Sequence, residues 1–153
     1  MTQLPASSRY LDARVSTASQ PELQLMLLDG ALRFGHQARA LWNAADQRAE
    51  CDRLLARSLD VVEELVRGST LGATDPSRRL EAEYAFAFRQ LALAQLNHDG
   101  PALEAALKVL DIHQETWKLA CEKLRAEGVT EGRTPAAPLE SSLVSGASLS
   151  LQG

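Results

Sequence analysis

Aromatic residues, glycine, proline and cysteine are all sparse in this sequence. Phe, Trp and Tyr make up 5% of its 153 residues, beside nine glycines, six prolines and two cysteines. The composition excludes a chain that is disordered throughout, because 45% of the residues are hydrophobic and only 24% are charged. A chain of this length is expected to fold as one domain and to bury about two thirds of its unfolded surface.

The two cysteines do not have the spacing of a metal site. Cys51 and Cys121 both fall on apolar positions of predicted helices, where a thiol behaves as a small hydrophobic side chain. We expect both thiols to be reduced and buried, and we expect no metal.

Long apolar runs and basic stripes are missing as well. Residues 1–16 contain no continuous apolar core of a signal peptide, and no segment approaches the roughly 20 apolar residues of a membrane helix. We therefore expect a cytoplasmic protein without membrane insertion. The net charge is −4 and no cluster of Lys and Arg is interleaved with aromatic residues, which argues against nucleic acid as a partner.

Helix signals divide the chain. Ser19 and Glu22 have the spacing of a capping box around Pro21, which predicts a helix that begins here and runs to about Ala45. Apolar residues at three- and four-residue steps predict three further helices, with Gly and Pro punctuation between them. Their predicted ranges are about 51–67, 77–97 and 102–127.

Four helices with short connections favour antiparallel neighbours. The predicted fold is all-α, an antiparallel up-down four-helix bundle over residues 19–127. Residues 1–18 are expected to form an N-terminal capping segment. Residues 128–153 shift to Gly, Ser, Thr and Pro with isolated leucines, which predicts a flexible tail.

Three of the predicted helices carry apolar residues on two faces, whereas a bundle buries one. On the first helix one face, taken as the inward one, contains Leu23, Leu27, Phe34, Ala38 and Leu41, and nearly the opposite face contains Leu25, Leu28 and Leu32. The surplus faces predict a client-binding groove, a dimer interface, cover from another segment, or simply packing inside the bundle. The candidate groove residues are Leu25, Leu28, Leu32, Phe86, Leu93, Val109, Ile112 and Leu119.

A helical bundle can also hold a di-metal centre or a phosphoacceptor histidine. No Glu-x-x-His pair is present, and His36, His98 and His113 have no convergent set of carboxylates. His113 leaves histidine phosphotransfer open as a minor alternative. No serine or cysteine lies in a glycine-rich nucleophile elbow, so we expect no catalytic residues, no enzymatic activity and no cofactor.

Several segments resemble one protein family. Tyr10, the run from Val15 to Leu23, and the run Leu25-Met-Leu-Leu-Asp-Gly-Ala-Leu-Arg-Phe34 are similar to the N-terminal signature of the FliS flagellar export chaperones. Tyr84-Ala-Phe86 and Trp117 match later positions of that family. Leu28 stands where the family usually has tyrosine, and Gln20 adds one residue before the expected proline.

The resemblance implies a chaperone that binds the disordered C-terminal segment of flagellin, prevents its polymerisation in the cytoplasm and assists its delivery to the flagellar type III export gate. It implies that Tyr10 belongs to a movable cover over an apolar pocket, the alternative being a permanent seal. Asp29 and Gly30 are expected to give a polar anchor and a close helix contact. Trp117 is expected in the core. A homodimeric helical adaptor is the alternative function.

Overall fold

Four α-helices form the part of the chain that the computed structural model describes, residues 18–70 and 74–131, with side chains as far as Gly128. A short 3-10 helix, Ala45–Gln47, precedes the second α-helix. The described residues contain no strand. The helices are α1 (Gln20–Ala40), α2 (Arg48–Ser69), α3 (Asp75–Asn97) and α4 (Gly100–Glu131).

This arrangement confirms the predicted all-α four-helix bundle. The first compact unit ends at Lys118, within α4, and residues from Leu119 onwards belong to a second unit. The predicted capping segment, including Tyr10, and the predicted tail lie outside the described residues except at their inner ends. There, α4 continues past the predicted end at Gly128 to Glu131, and Gly128 does not adopt the positive φ that ends many helices.

The predicted capping box begins α1. The Ser19 backbone N–H donates to Glu22 Oε1 at 2.9 Å, and the Glu22 N–H donates to Ser19 Oγ at 3.3 Å. The helix ends at Ala40, earlier than the predicted Ala45. The backbone N–H groups of Leu41 and Trp42 donate to carbonyl oxygens three residues earlier in the chain. Both side chains nevertheless pack against the core. The apolar pattern therefore continues past the end of α1, so the pattern alone could not predict where the helix ends.

A tight turn joins α3 to α4. His98 ends α3 in the left-handed conformation, with φ of 51°, and its ring stacks on Trp42 with ring centroids 3.9 Å apart. The Asp99 carboxylate then accepts from the Ala102 N–H at 3.0 Å and caps α4. Only two residues thus separate the helices, which makes α3 and α4 antiparallel neighbours.

Buried side chains from all four helices form the core of the first unit. The Cys51 thiol is free and buried, donates to the Ala38 carbonyl at 3.3 Å, and has its pKa raised by burial. Cys121 is buried in the second unit, so both cysteines are buried as predicted. The largest buried side chains are Tyr84, Leu28, Leu55, Leu65, Leu91, Leu103, Leu107, Leu110 and Val62.

The helices α1 and α4 approach each other closely at Gly35. A Cβ atom at Gly35 would lie 2.6 Å from Leu107 Cδ2, whereas a Cβ atom at Gly30 would have nothing within 4 Å. The prediction of a close helix contact at Gly30 is therefore wrong, and Gly35 makes that contact instead. Asp29 is the expected polar anchor, because its Oδ1 accepts from Gln114 Nε2 at 2.7 Å.

The two glycines of α1 give a matched pair of stability variants. We expect Gly35→Ala to lower the free energy of unfolding by about 1–2 kcal/mol, because overpacking against Leu107 outweighs the gain in helix propensity. Gly30→Ala should be neutral or stabilising, by up to about 1 kcal/mol. Urea denaturation measures both, and a Gly35→Ala protein at least as stable as Gly30→Ala would contradict the close contact.

Candidate functional site

Two polar contacts join α3 to the first part of α4. His113 Nε2 lies 2.5 Å from Glu83 Oε1, and Trp117 Nε1 donates to the Tyr84 hydroxyl at 3.0 Å. Because residues three or four apart lie on one face of a helix, Phe86 follows Glu83 along this seam. Val109 precedes His113 along the same seam on α4.

Four of the predicted groove residues belong to α3 and α4 of the first unit. We call Phe86, Leu93, Val109 and Ile112 the α3–α4 strip. Phe86 and Leu93 are two helical turns apart on α3, and Val109 and Ile112 are about one turn apart on α4. Phe86 is 36%, Leu93 40% and Ile112 56% exposed, while Val109 is half-buried against the core. The bundle thus presents large apolar side chains from two neighbouring helices to solvent.

The other four predicted groove residues lie elsewhere. Leu28 and Leu32 are buried in the core, so the prediction that they line an open groove is wrong. Leu25 is half-buried on α1, and Leu119 is exposed in the second unit. The α3 and α4 candidates of the first unit are thus exposed or half-buried, whereas Leu28 and Leu32 on α1 are buried.

The error on α1 has a physical cause. Its inward face contains the small residues Ala31, Gly35 and Ala38, all of them buried, beside Leu28 and Leu32. If only large apolar side chains are counted, the face with Leu23, Leu27 and Phe34 is predicted to be the buried one. Close helix packing, however, selects the face whose small residues allow near approach. The larger side chains are left half-buried at the edge of the core.

Tyr84 joins three helices inside the core. Its side chain is fully buried, its hydroxyl donates to Gln24 Oε1 at 2.8 Å, and the same oxygen accepts from Trp117. This hydroxyl therefore links α3 to both α1 and α4. Burial raises the pKa of Tyr84 to about 12, an effect that the Trp117 hydrogen bond partly offsets. Trp117 packs against the core, as predicted.

His113 is held by its neighbours. Its Nε2 atom is engaged by Glu83, and its ring lies 5.0 Å from the Tyr84 ring, tilted by 59°. A phosphoacceptor histidine needs a ring nitrogen open to a phosphate donor. The contact with Glu83 occupies Nε2, so this nitrogen is not open to a phosphate donor. The arrangement therefore does not favour phosphotransfer at His113.

A second open region lies between the start of α1 and the end of α2. It is a pocket of about 640 Å³ whose apolar lining includes Leu23, Met26 and Leu27 from α1. The sequence pattern places Leu23 and Leu27 on the inward face and does not predict this pocket. The stripe of small residues Ala31, Gly35 and Ala38, which marks the closely packed face of α1, is the sequence signal that would have indicated it.

The described ranges, 18–70 and 74–131, contain neither a metal-binding cluster nor a membrane-spanning helix. No group of three or more His, Cys, Asp or Glu residues is arranged to hold a metal ion. No helix in these ranges combines the length and apolar character that crossing a membrane requires.

Exposed apolar residues on neighbouring helices of a bundle are typical of surfaces that bind other polypeptides. The family model described as flagellar protein FliS matches residues 1–124, and the chain belongs to this family. Membership supports a flagellar export chaperone and agrees with the resemblance seen in the sequence motifs. No curated protein matches the chain.

Removing the Tyr84 hydroxyl tests the contacts that join three helices inside the core. We expect Tyr84→Phe to lower the free energy of unfolding at neutral pH by about 1–3 kcal/mol, because Gln24 and Trp117 lose a buried partner. Chemical denaturation at pH 7 measures the difference between the two proteins.

That difference should shrink at alkaline pH. The unfolded tyrosine ionises near its ordinary pKa of 10.0, whereas the folded one ionises near 12. The stabilisation due to Tyr84 is therefore fully present below pH 10 and declines as the pH rises from 10 towards 12, by up to about 1.4 kcal/mol per pH unit. A gap between wild type and Tyr84→Phe that stays constant from pH 9 to pH 11 would contradict this account.

Proposed function

We propose that this protein is a flagellin-specific export chaperone of the cytoplasm. It binds the disordered C-terminal segment of flagellin along the α3–α4 strip, prevents premature polymerisation and assists delivery to the flagellar type III export gate. The observation that supports this function best is the exposed apolar strip on a bundle of the FliS family. The function requires no catalytic residue, metal or cofactor.

The strip suits an amphipathic helix. Phe86 and Leu93 present one apolar row, and Val109 and Ile112 present another on the neighbouring helix. A client that folds on binding would lay apolar side chains spaced at i, i+3, i+4 and i+7 between these rows, as in helix-in-groove recognition. The fixed contacts of Tyr84 and His113 mean that the chaperone side is ordered before the client arrives.

The energetics favour reversible binding. Complete burial of a Phe, Leu or Ile side chain is worth about 1.5–3 kcal/mol, so the strip would contribute several kcal/mol in total. Ordering a disordered client costs about 2–5 kcal/mol of the gross interaction energy. The balance allows the chaperone to protect flagellin in the cytoplasm and still release it for export.

Calorimetric titration with the C-terminal segment of the host's flagellin tests this function. We expect saturable binding near a 1:1 ratio, a negative heat-capacity change and a gain in helical circular dichroism. Phe86→Asp and Ile112→Asp should each weaken binding about tenfold or more, because each buries a charge against the apolar face of the client.

Ala49→Asp is the matched control. It adds the same charge at an exposed position on α2, away from the strip, and should leave affinity within about twofold of wild type. Far-ultraviolet circular dichroism would verify that all three variants are folded. Absence of flagellin binding, together with a stable dimer in the same buffer, would refute the chaperone function and favour the homodimeric adaptor.

A further inference from the structure

The seam between α1 and α2 forms a second surface groove, on helices that do not contribute to the α3–α4 strip. The two helices are antiparallel neighbours, held by Ser58 Oγ donating to the Ala31 carbonyl at 2.9 Å. Successive turns of each helix face the seam at steps of four, three and four residues. We define the α1–α2 groove by Leu23, Leu27, Gly30 and Phe34 from α1 and Arg57, Val61, Glu64 and Gly68 from α2.

One end of this groove is the apolar pocket of about 640 Å³. Leu23, Met26 and Leu27 line it from α1, and Gly68 lines it from α2. Its volume is in the range of pockets that accept large side chains or small ligands. The charges here are already matched, because Arg67 pairs with both Glu63 and Glu64.

Gly30 keeps the groove open beyond the pocket. A Cβ atom at this position would meet no neighbouring atom within 4 Å, so no packing contact inside the bundle requires glycine. A glycine inside a helix costs about 1 kcal/mol relative to alanine. The missing side chain instead leaves free space between the pocket at Leu27 and the ring of Phe34. Phe34 lies about one turn beyond Gly30 and two turns beyond Leu27 on α1.

The other end of the groove is basic. The Arg33 and Arg57 guanidinium groups lie 5.1 Å and 5.5 Å from the centroid of the Phe34 ring. Neither forms an ion pair with any residue in the described part of the chain. The Glu50 carboxylate is bound by Arg53, with Nε to Oε1 at 2.9 Å, and its pKa is lowered by Arg53 first and by the more distant Arg57 as well. Two guanidinium groups without a salt bridge thus converge on one ring of a protein whose net charge is −4.

We propose that the α1–α2 groove binds an acidic amphipathic segment of another protein. An apolar side chain of that segment occupies the pocket at Leu23 and Leu27, and a carboxylate binds between Arg33 and Arg57. The seven residues from Leu27 to Phe34 set the separation of these two contacts at about 10 Å, or two turns of a helical partner. This proposal rests on the groove alone and holds whether or not the α3–α4 strip binds flagellin.

Two synthetic helical peptides test the groove on the full-length protein. Both carry a central leucine, flanked two turns away on either side by Glu in one peptide and by Lys in the other. We expect the Glu peptide to bind about tenfold more tightly at low salt, with the preference shrinking as salt is added. Fluorescence anisotropy of the labelled peptides measures both affinities.

Gly30 provides variants that block the groove without disturbing the fold. Gly30→Leu should weaken binding of the Glu peptide about tenfold or more, because its side chain fills the open space. Gly30→Ala, which adds only a methyl group, should bind within about twofold of wild type. The pair Arg33→Glu and Arg57→Glu should reverse the preference towards the Lys peptide, while Phe86→Asp on the other surface should leave both affinities unchanged.

Three outcomes would overturn the proposal. Equal affinity for the two peptides would remove the role of Arg33 and Arg57, and binding that is insensitive to Gly30→Leu would place the peptide elsewhere. Absence of binding by both peptides would show that the groove does not bind an acidic amphipathic segment. Sedimentation of wild type and Gly30→Leu would then test the other occupant, because loss of a dimer in the variant would identify a second copy of the chain in the groove.

Discussion

The hydroxyl group of Tyr84 is the contact on which the first compact unit depends most. It donates to Gln24 on α1 and accepts from Trp117 on α4 while its own helix is α3, all within a fully buried site. A buried polar group of this kind is costly unless every partner is in place, so it favours one relative placement of the three helices. The outward face of α3, which presents Phe86 and Leu93, is oriented by that placement.

The small residues of α1 are a second constraint on how the helices pack. Gly35 lies against Leu107, and Ala31 and Ala38 are fully buried, so α1 approaches the bundle through a stripe of small side chains. Leu23, Leu27 and Phe34 are consequently displaced to the edge of the core. The packing of α1 against α4 through these small residues therefore leaves the α1–α2 groove open. Gly30 has no side chain that could fill this groove.

The two surfaces differ in chemistry. The α3–α4 strip is apolar along its length, whereas the α1–α2 groove combines an apolar pocket with two guanidinium groups without a salt bridge at its other end. An apolar strip accepts many amphipathic sequences, and a groove with a charge at a fixed distance from a pocket selects among them. A bundle with both surfaces has the means to hold one partner loosely and another with a defined direction.

The sequence by itself determined the all-α fold, the start of α1 at Ser19 and the burial of both cysteines. Each of these follows from local spacing, either a capping box or a periodic apolar pattern. Only the tertiary structure decided that Leu28 and Leu32 are core residues, that α1 ends at Ala40, and that Gly35 rather than Gly30 makes the close contact. These features depend on which face of α1 approaches α4 most closely, and the periodicity of a single helix with two apolar faces leaves that choice to its neighbours.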